Sequence, residues 1–262
     1  MVIAALIFLG LLLGSFVNAL VWRLYKKKDW VTDRSECDHC HHKLSALDLI
    51  PVVSWAMLRG KCRYCHKPIA DSPLTELAMP ALFVVSYIFW PQSLEGEGLM
   101  TFGFWLVFLV GFVALAVYDF RWFLLPNKIV FPLIGLAVLQ LVLQLLFFDA
   151  SWRDVLGAAL GVTLISGIFY ALFVLSNGAW IGFGDVKLGI VLGILAGGPL
   201  PAILLLFVAS VLGMLFSLSL VVRGKADRKS YVPFGPFLLA AMVLVALLGV
   251  DIIDWYRNLI LI

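Results

Sequence analysis

With 63% hydrophobic and only 13% charged residues among 262, and a mean hydropathy of +1.05, this chain lacks the polar surface of an ordinary soluble domain. Such a domain is about half apolar and a quarter charged, so most of this surface is expected to face lipid. The net charge of +3 is small and unevenly spread, and no nucleic-acid partner is expected from it.

In chain order, apolar runs long enough to cross about 30 Å of hydrocarbon are predicted at 2–23, 74–91, 101–119, 128–148, 155–176, 186–199, 201–222 and 233–250. The sixth and seventh are parted only by Gly197-Gly198-Pro199-Leu200-Pro201, so eight spans are expected, with seven or nine as alternatives. The first run has no basic region ahead of its apolar core, and the basic cluster follows it. That pattern predicts a retained span with its N-terminus outside, not a cleaved leader. The expected fold is all-α and polytopic: a first span over 1–24, a polar domain over 25–73 and a membrane-embedded core over 74–262.

Lysine and arginine divide sharply between the two sides of this topology. The 23–73 loop carries ten, 120–128 two, position 187 one and 223–229 four, which leaves Arg153 and Arg257 of the 19 opposite. The positive-inside tendency then puts the 23–73 loop, Asp119, Asp185 and the 223–232 loop in the cytoplasm. The loops at 92–100 and 149–154, with Glu95, Glu97, Asp149 and Asp154, fall outside.

The polar stretch is too short to bury a sizeable core of its own. It holds all four cysteines, as Cys37-Asp38-His39-Cys40 and, twenty-one residues on, Cys62-Arg63-Tyr64-Cys65. Two Cys-x2-Cys knuckles at this separation predict a tetrahedral structural zinc site. The ion would supply the folding energy so small a domain lacks. The alternatives are free thiols, or disulfides, which suit a reducing compartment poorly. His39, His41, His42 and His66 flank the knuckles, either as a replacement ligand or as solvated loop residues.

Residue type narrows the chemistry open to the spans. Every histidine lies between 39 and 66, so no span offers one to activate a serine, and there is no His-Glu-x-x-His for a catalytic metal. What remains near the membrane is Asp119, Asp185, Lys187 and Glu76, with Ser15 and Asn18. A carboxylate at the edge of a bilayer costs roughly a few kcal/mol and usually has a task. Asp185 closes Gly182-Phe183-Gly184-Asp185, and Asp119 precedes Leu125-Pro126-Asn127. Two neighbouring carboxyl groups that hold one proton between them can hydrolyse an amide with no metal and no covalent intermediate. The bland alternative is a helix cap, which suits Asp185 but not Asp119 at the dipole-negative end of a span. A proton- or ion-coupled transporter using the same acidic pair, or a zinc-bearing scaffold, are the competing classes.

The motifs together resemble the bacterial prepilin peptidases, membrane aspartic proteases of the Gly-x-Gly-Asp type. The likeness runs through Gly14-Ser15-Phe16-Val17-Asn18, Asp48-Leu49-Ile50-Pro51-Val52-Val53-Ser54-Trp55, Leu58-Arg59-Gly60-Lys61-Cys62, Pro73-Leu74-Thr75-Glu76 and Val232-Pro233-Phe234-Gly235-Pro236, besides the two aspartate segments. The resemblance implies that Asp119 and Asp185 form the catalytic dyad, with Gly182, Gly184, Lys187, Pro126, Asn127 and Glu76 supporting it. It implies a multi-pass protein of the bacterial inner membrane that removes the basic leader of type IV prepilins or pseudopilins after a glycine, at the cytoplasmic face. Relatives with the cysteine loop then N-methylate the new N-terminal residue, usually phenylalanine, with S-adenosylmethionine, whereas shorter ones only cleave. Cys37, Cys40, Cys62 and Cys65 are the expected zinc ligands, and no pattern shows where the methyl donor sits. Two departures stand out: Asp38 where many relatives have proline, and Asp71-Ser72-Pro73 where Arg-Tyr-Pro is usual.

Overall fold

A computed structural model describes residues 1–29, 33, 35–69, 72–224 and 232–260. Arg34, Asp71, Lys225, Arg228 and Lys229, which enter the sequence reading above, lie outside the described residues. The described chain is helical: α1 (Val2–Tyr25), a 3-10 turn at Ala46–Leu49, α2 (Val53–Met57), α3 (Leu74–Ile88), α4 (Gly96–Trp122), α5 (Asn127–Phe147), α6 (Trp152–Leu175), α7 (Phe183–Ala196), α8 (Pro199–Val222) and α9 (Gly235–Ile260).

Each of the eight expected spans meets a helix, and six of these are long and apolar enough to cross a bilayer. The other two, α3 and α7, have 15 and 14 residues, about 21–23 Å of helix against a slab of about 30 Å. Pro91 turns the chain out of α3 before the expected end at 91. α7 starts three residues earlier than expected and stops at Gly197, whose φ of 66° is the left-handed terminator that glycine adopts readily. Pro199 then opens α8 at the position where a missing N–H costs nothing. α9 runs past the expected 250 as a polar extension, where Arg257 meets Asp254 at 3.7 Å.

Packing depends on bare backbone. Gly10 and Gly14, one turn apart on α1, face α3 so closely that a Cβ would come within 2.5 Å of Cα of Pro80 or 2.7 Å of Cα of Glu76. On α7, a Cβ at Gly193 would lie 2.4 Å from the backbone of Val162 in α6. Small residues permit this approach where lipid supplies no hydrophobic drive between helices. Two buried polar contacts join helices inside the bundle: Trp105 Nε1 donates to Ser86 Oγ at 3.0 Å, and Ser166 Oγ to the Val186 carbonyl at 2.8 Å. Outward faces carry large apolar groups such as Phe8, Phe131 and Phe207, each more than half exposed, as a multi-pass membrane protein needs.

The helices alternate in direction, so the bundle has two chemically distinct ends. At one, Gln144 donates to Glu97 at 2.9 Å and Gly157 abuts Gly197. At the other, Tyr25 stacks on Trp122 with centroids 4.1 Å apart, joining the ends of α1 and α4. The cysteine-bearing domain, Asp119 and Asp185 all belong to this second end.

Gly193→Ala is expected to lower stability by about 1–3 kcal/mol, because only backbone movement relieves the overlap. Gly135→Ala on α5, where nothing lies within 4 Å, is expected to be neutral or stabilising by up to about 1 kcal/mol. Thermal unfolding of both variants in one detergent checks the contrast.

Candidate active site and metal centre

Asp119 occupies the last turn of α4 and is buried, 6% exposed. The helix ends as Phe123 turns left-handed (φ 54°, ψ 38°), its N–H reaching back to the Asp119 carbonyl at 2.8 Å. The extended Pro126 then launches α5 at Asn127. The Asp119 carboxylate accepts the backbone N–H of Gly235, the first residue of α9. The approach is so close that a Cβ on Gly235 would stand 2.5 Å from Asp119 Oδ2.

Asp185 lies in the first turn of α7, half-buried. It is not the N-cap residue: Gly182 is, and the Gly182 N–H is donated to the Asp185 carboxylate three residues on. This is half of a capping box, with the glycine contributing backbone only. The Asp185 carboxylate on α7 stands near enough to Asp119 on α4 to feel its charge. Leu125 seals the gap between their helices. A Cβ on Gly184 would come 3.1 Å from Cβ of Leu125, and one on Gly235 3.6 Å from its Cδ2.

Of the expected supporting residues, Gly182, Gly184, Lys187, Pro126 and Asn127 gather here. Lys187 forms no ion pair with Asp185 among the described residues. Its Nζ donates to Asn127 Oδ1 and lies over the rings of Phe183 and Phe131 at 5.4 and 5.8 Å, tying α7 to the start of α5. Glu76 is placed elsewhere: its Oε2 accepts the Val52 N–H at 2.6 Å, joining α3 to the cysteine-bearing domain. The Gly235 amide and the Leu125 wedge were not singled out for this role in the sequence. The one signal was a glycine set between Pro233 and Pro236 at the start of a span.

The four cysteine sulfurs lie within 4.8 Å of one another, with Cys37 and Cys65 Sγ 3.8 Å apart. That is far beyond the ~2.05 Å of a disulfide and close to the ~3.8 Å edge of a tetrahedron built on Zn–S bonds of about 2.3 Å. The knuckles repeat one fold. Cys37 N–H bonds to the His42 carbonyl and Cys62 N–H to that of Lys67; His41 and His66 then turn left-handed at φ 55° and 57°. Burial pushes the Cys37 thiol up, but hydrogen bonds from the Cys40 and His39 backbone outweigh it and bring it down to about 7. Four crowded sulfurs cannot all ionise without a cation among them, so the donor set fits a divalent ion. Among the described residues no histidine joins the cluster: His41 sits 3.6 Å from Glu36, and His42 lies against the Tyr64 ring.

Side chains clamp this domain onto the bundle. Trp22 Nε1 donates to Asp38 at 2.8 Å, so the aspartate that departs from the usual proline binds α1. Lys28 meets Glu36 at 2.5 Å. Within the domain, Asp48 accepts from Arg63 at 2.7 Å and Tyr64 at 3.0 Å. Burial raises the Asp48 carboxyl, yet these bonds and those from Ser45 hold it at about 2.

Comparison with known proteins divides the chain along the same lines. Residues 8–90, which hold the cysteines, match the bacterial peptidase A24 N-terminal domain, and residues 106–218, which hold both aspartates, match the type IV leader peptidase family. Proteins named prepilin leader peptidase/N-methyltransferase are similar nearly end to end. That of Stutzerimonas stutzeri is 31% identical, with 92% of this chain and 88% of the relative covered. That of Xanthomonas campestris is 33% identical over 95% and 92%, and that of Bacillus subtilis 30% over 99% of each. No solved structure matches the chain. Motifs, helical order and end-to-end similarity agree, and the chain belongs to the type IV leader peptidase family.

Proposed function

We propose that this protein is an aspartic endopeptidase of the bacterial inner membrane that removes the basic leader of type IV prepilins or pseudopilins after a glycine, at the cytoplasmic face. The observation that carries the reading is the meeting of Asp119 and Asp185, from two different helices, at the end of the bundle that also bears the basic loop. One carboxylate, ionised, takes a proton from water. The other, protonated, donates to the scissile carbonyl, so charge developing there is met by a fixed donor. The proton taken from water then passes to the leaving amine. The Gly235 and Gly182 amides hold one side of each carboxyl and leave the remaining oxygens for water and substrate. The pair acts as a unit, with no fixed assignment of acid and base.

The same protein is proposed to N-methylate the new N-terminal residue, usually phenylalanine, with S-adenosylmethionine, as the names of its relatives suggest for them. In this reading Cys37, Cys40, Cys62 and Cys65 hold a structural zinc ion. The ion contributes folding energy to a domain with one buried cysteine and few other buried side chains. In this reading the hydrophobic helix behind the leader stays in lipid while the cut is made at the bundle end. The boundaries 1–24, 25–73 and 74–262 then become anchor, metal-bearing domain and peptidase core.

Asp119→Asn or Asp185→Asn is expected to slow leader removal by at least about a hundredfold, read by mass spectrometry of a co-expressed pilin. Cleavage that survives in both variants defeats the peptidase reading. Gly235→Ala, which pushes a methyl group against Asp119, is expected to lose about a hundredfold in rate from misplacement alone, with the protein still eluting as wild type. Elemental analysis should find one zinc per chain, lost in a Cys62→Ser, Cys65→Ser double variant. That variant is expected to lose terminal methylation before cleavage, both read on the same pilin.

A further inference from the structure

A cleft of about 170 Å³ opens between the cysteine-bearing domain and the paired ends of α1 and α3. Its wall on the bundle side is fixed by Gly14, whose bare face brings the Glu76 backbone against α1, and by Asn18 one turn further along the same face. Asn18 Oδ1 is buried and accepts no hydrogen bond. Glu76 accepts only the Val52 N–H and has no cationic partner among the described residues. The other carboxylates lining the cleft are already engaged: Asp48 by Arg63, Glu36 by Lys28 and Asp38 by Trp22. One unneutralised carboxylate therefore lines this small space, which suits a cationic ligand.

The turn that leads into the opposite wall, where Ser54 and Trp55 line the cleft, is held under strain. Val52 adopts φ 61° and ψ −47°, a region β-branched residues avoid, and Val53 N–H reaches the Pro51 carbonyl across the turn at 2.5 Å. Glu76 fastens this turn through the Val52 N–H, and strain of this kind persists only where its surroundings enforce it. Trp22, over whose ring Lys28 Nζ already lies at 4.8 Å, and Trp55 add indole surfaces suited to a flat ring. The cleft lies at the same end of the bundle as the dyad. Tyr25, three residues beyond Trp22, stacks on Trp122, three residues beyond Asp119.

We propose that this cleft seats the methyl donor, with Glu76 facing the cationic groups of S-adenosylmethionine and the two indoles offering its purine a stacking surface. This rests on the methyltransferase reading above. The sulfonium and ammonium groups of the donor supply the positive charge that Glu76 lacks. The ammonium of a freshly cut substrate shares part of that chemistry, so the test must separate the two.

Purified protein in detergent is cross-linked to S-adenosylmethionine by ultraviolet light and the labelled peptides are mapped, and binding is measured by calorimetry. Label is expected on the peptides bearing Trp22 or Trp55. Glu76→Gln keeps an acceptor for Val52 and removes only charge. It is expected to weaken S-adenosylmethionine at least tenfold and S-adenosylhomocysteine, which lacks the sulfonium charge, by less. Trp55→Ala, which removes a stacking surface, is expected to weaken both. Label confined to other peptides, or wild-type affinity in both variants, overturns the cleft while leaving the methyltransferase reading intact. Loss of affinity only for a peptide with an N-terminal phenylalanine overturns the donor assignment and gives the cleft to the acceptor. Wild-type protein that binds no methyl donor overturns the methyltransferase reading and the cleft with it.

Discussion

A carboxyl group enclosed by apolar helices needs donors that the surrounding side chains do not supply, and here main-chain amides supply them. Asp119 sits at the end of α4, where the carbonyl dipoles disfavour an anion. The start of α9 offsets this by presenting the unpaired Gly235 N–H to the carboxylate. Asp185 receives the Gly182 N–H at the start of its own helix. Both acids therefore rest against helix N-termini, whose first amides have no partner within the helix. Because the donors are backbone, their positions follow from how α4, α7 and α9 pack, and the absence of a side chain at Gly235 is a condition of the arrangement.

The second half of the protein follows another logic. A domain of some fifty residues with little buried apolar surface is shaped by two matching knuckles and fastened to the bundle by polar side chains. Trp22 to Asp38, Lys28 to Glu36 and Val52 to Glu76 each cross from the bundle or its flank into the domain. The stacked pair Tyr25 and Trp122 then couples the helix that carries the domain to the helix that carries Asp119. Two activities proposed for one substrate thus share one end of the bundle, and the cut chain need move only a short way between them.

Much of this was legible before any coordinates. The order of the helices and the four-cysteine cluster follow from hydropathy, proline and glycine placement, and Cys-x2-Cys spacing. All of these are local signals that neighbouring residues carry. Long-range contacts were not legible. Nothing local marks Gly235 as the partner of Asp119, 116 positions away, or Asp38 as the acceptor for Trp22. Glu76 was grouped with the dyad because it is acidic and near a span start, but the Gly14 contact draws α3 against α1 and turns that carboxylate toward Val52. Lys187 reads as either an interfacial anchor or a modulator of Asp185, and its bond to Asn127 shows that it fastens two helices. Helix ends were off by a few residues wherever a terminator such as Gly197 overrode the apolar run.

The brevity of α7 has a consequence for how a membrane-anchored chain can be cut. Val186, beside Asp185, is level with Ser166 of α6, and the nine residues Gly167–Leu175 continue beyond it, about 13 Å of helix. Asp185 is thus sunk below the end of α6, with Asp119 near it in the last turn of α4. At such a depth an incoming transmembrane segment is already coiled, and its carbonyls are tied up in its own i to i+4 bonds. Hydrolysis there requires the segment to surrender its first turn, so the ease with which that turn unravels becomes a selector among otherwise similar chains.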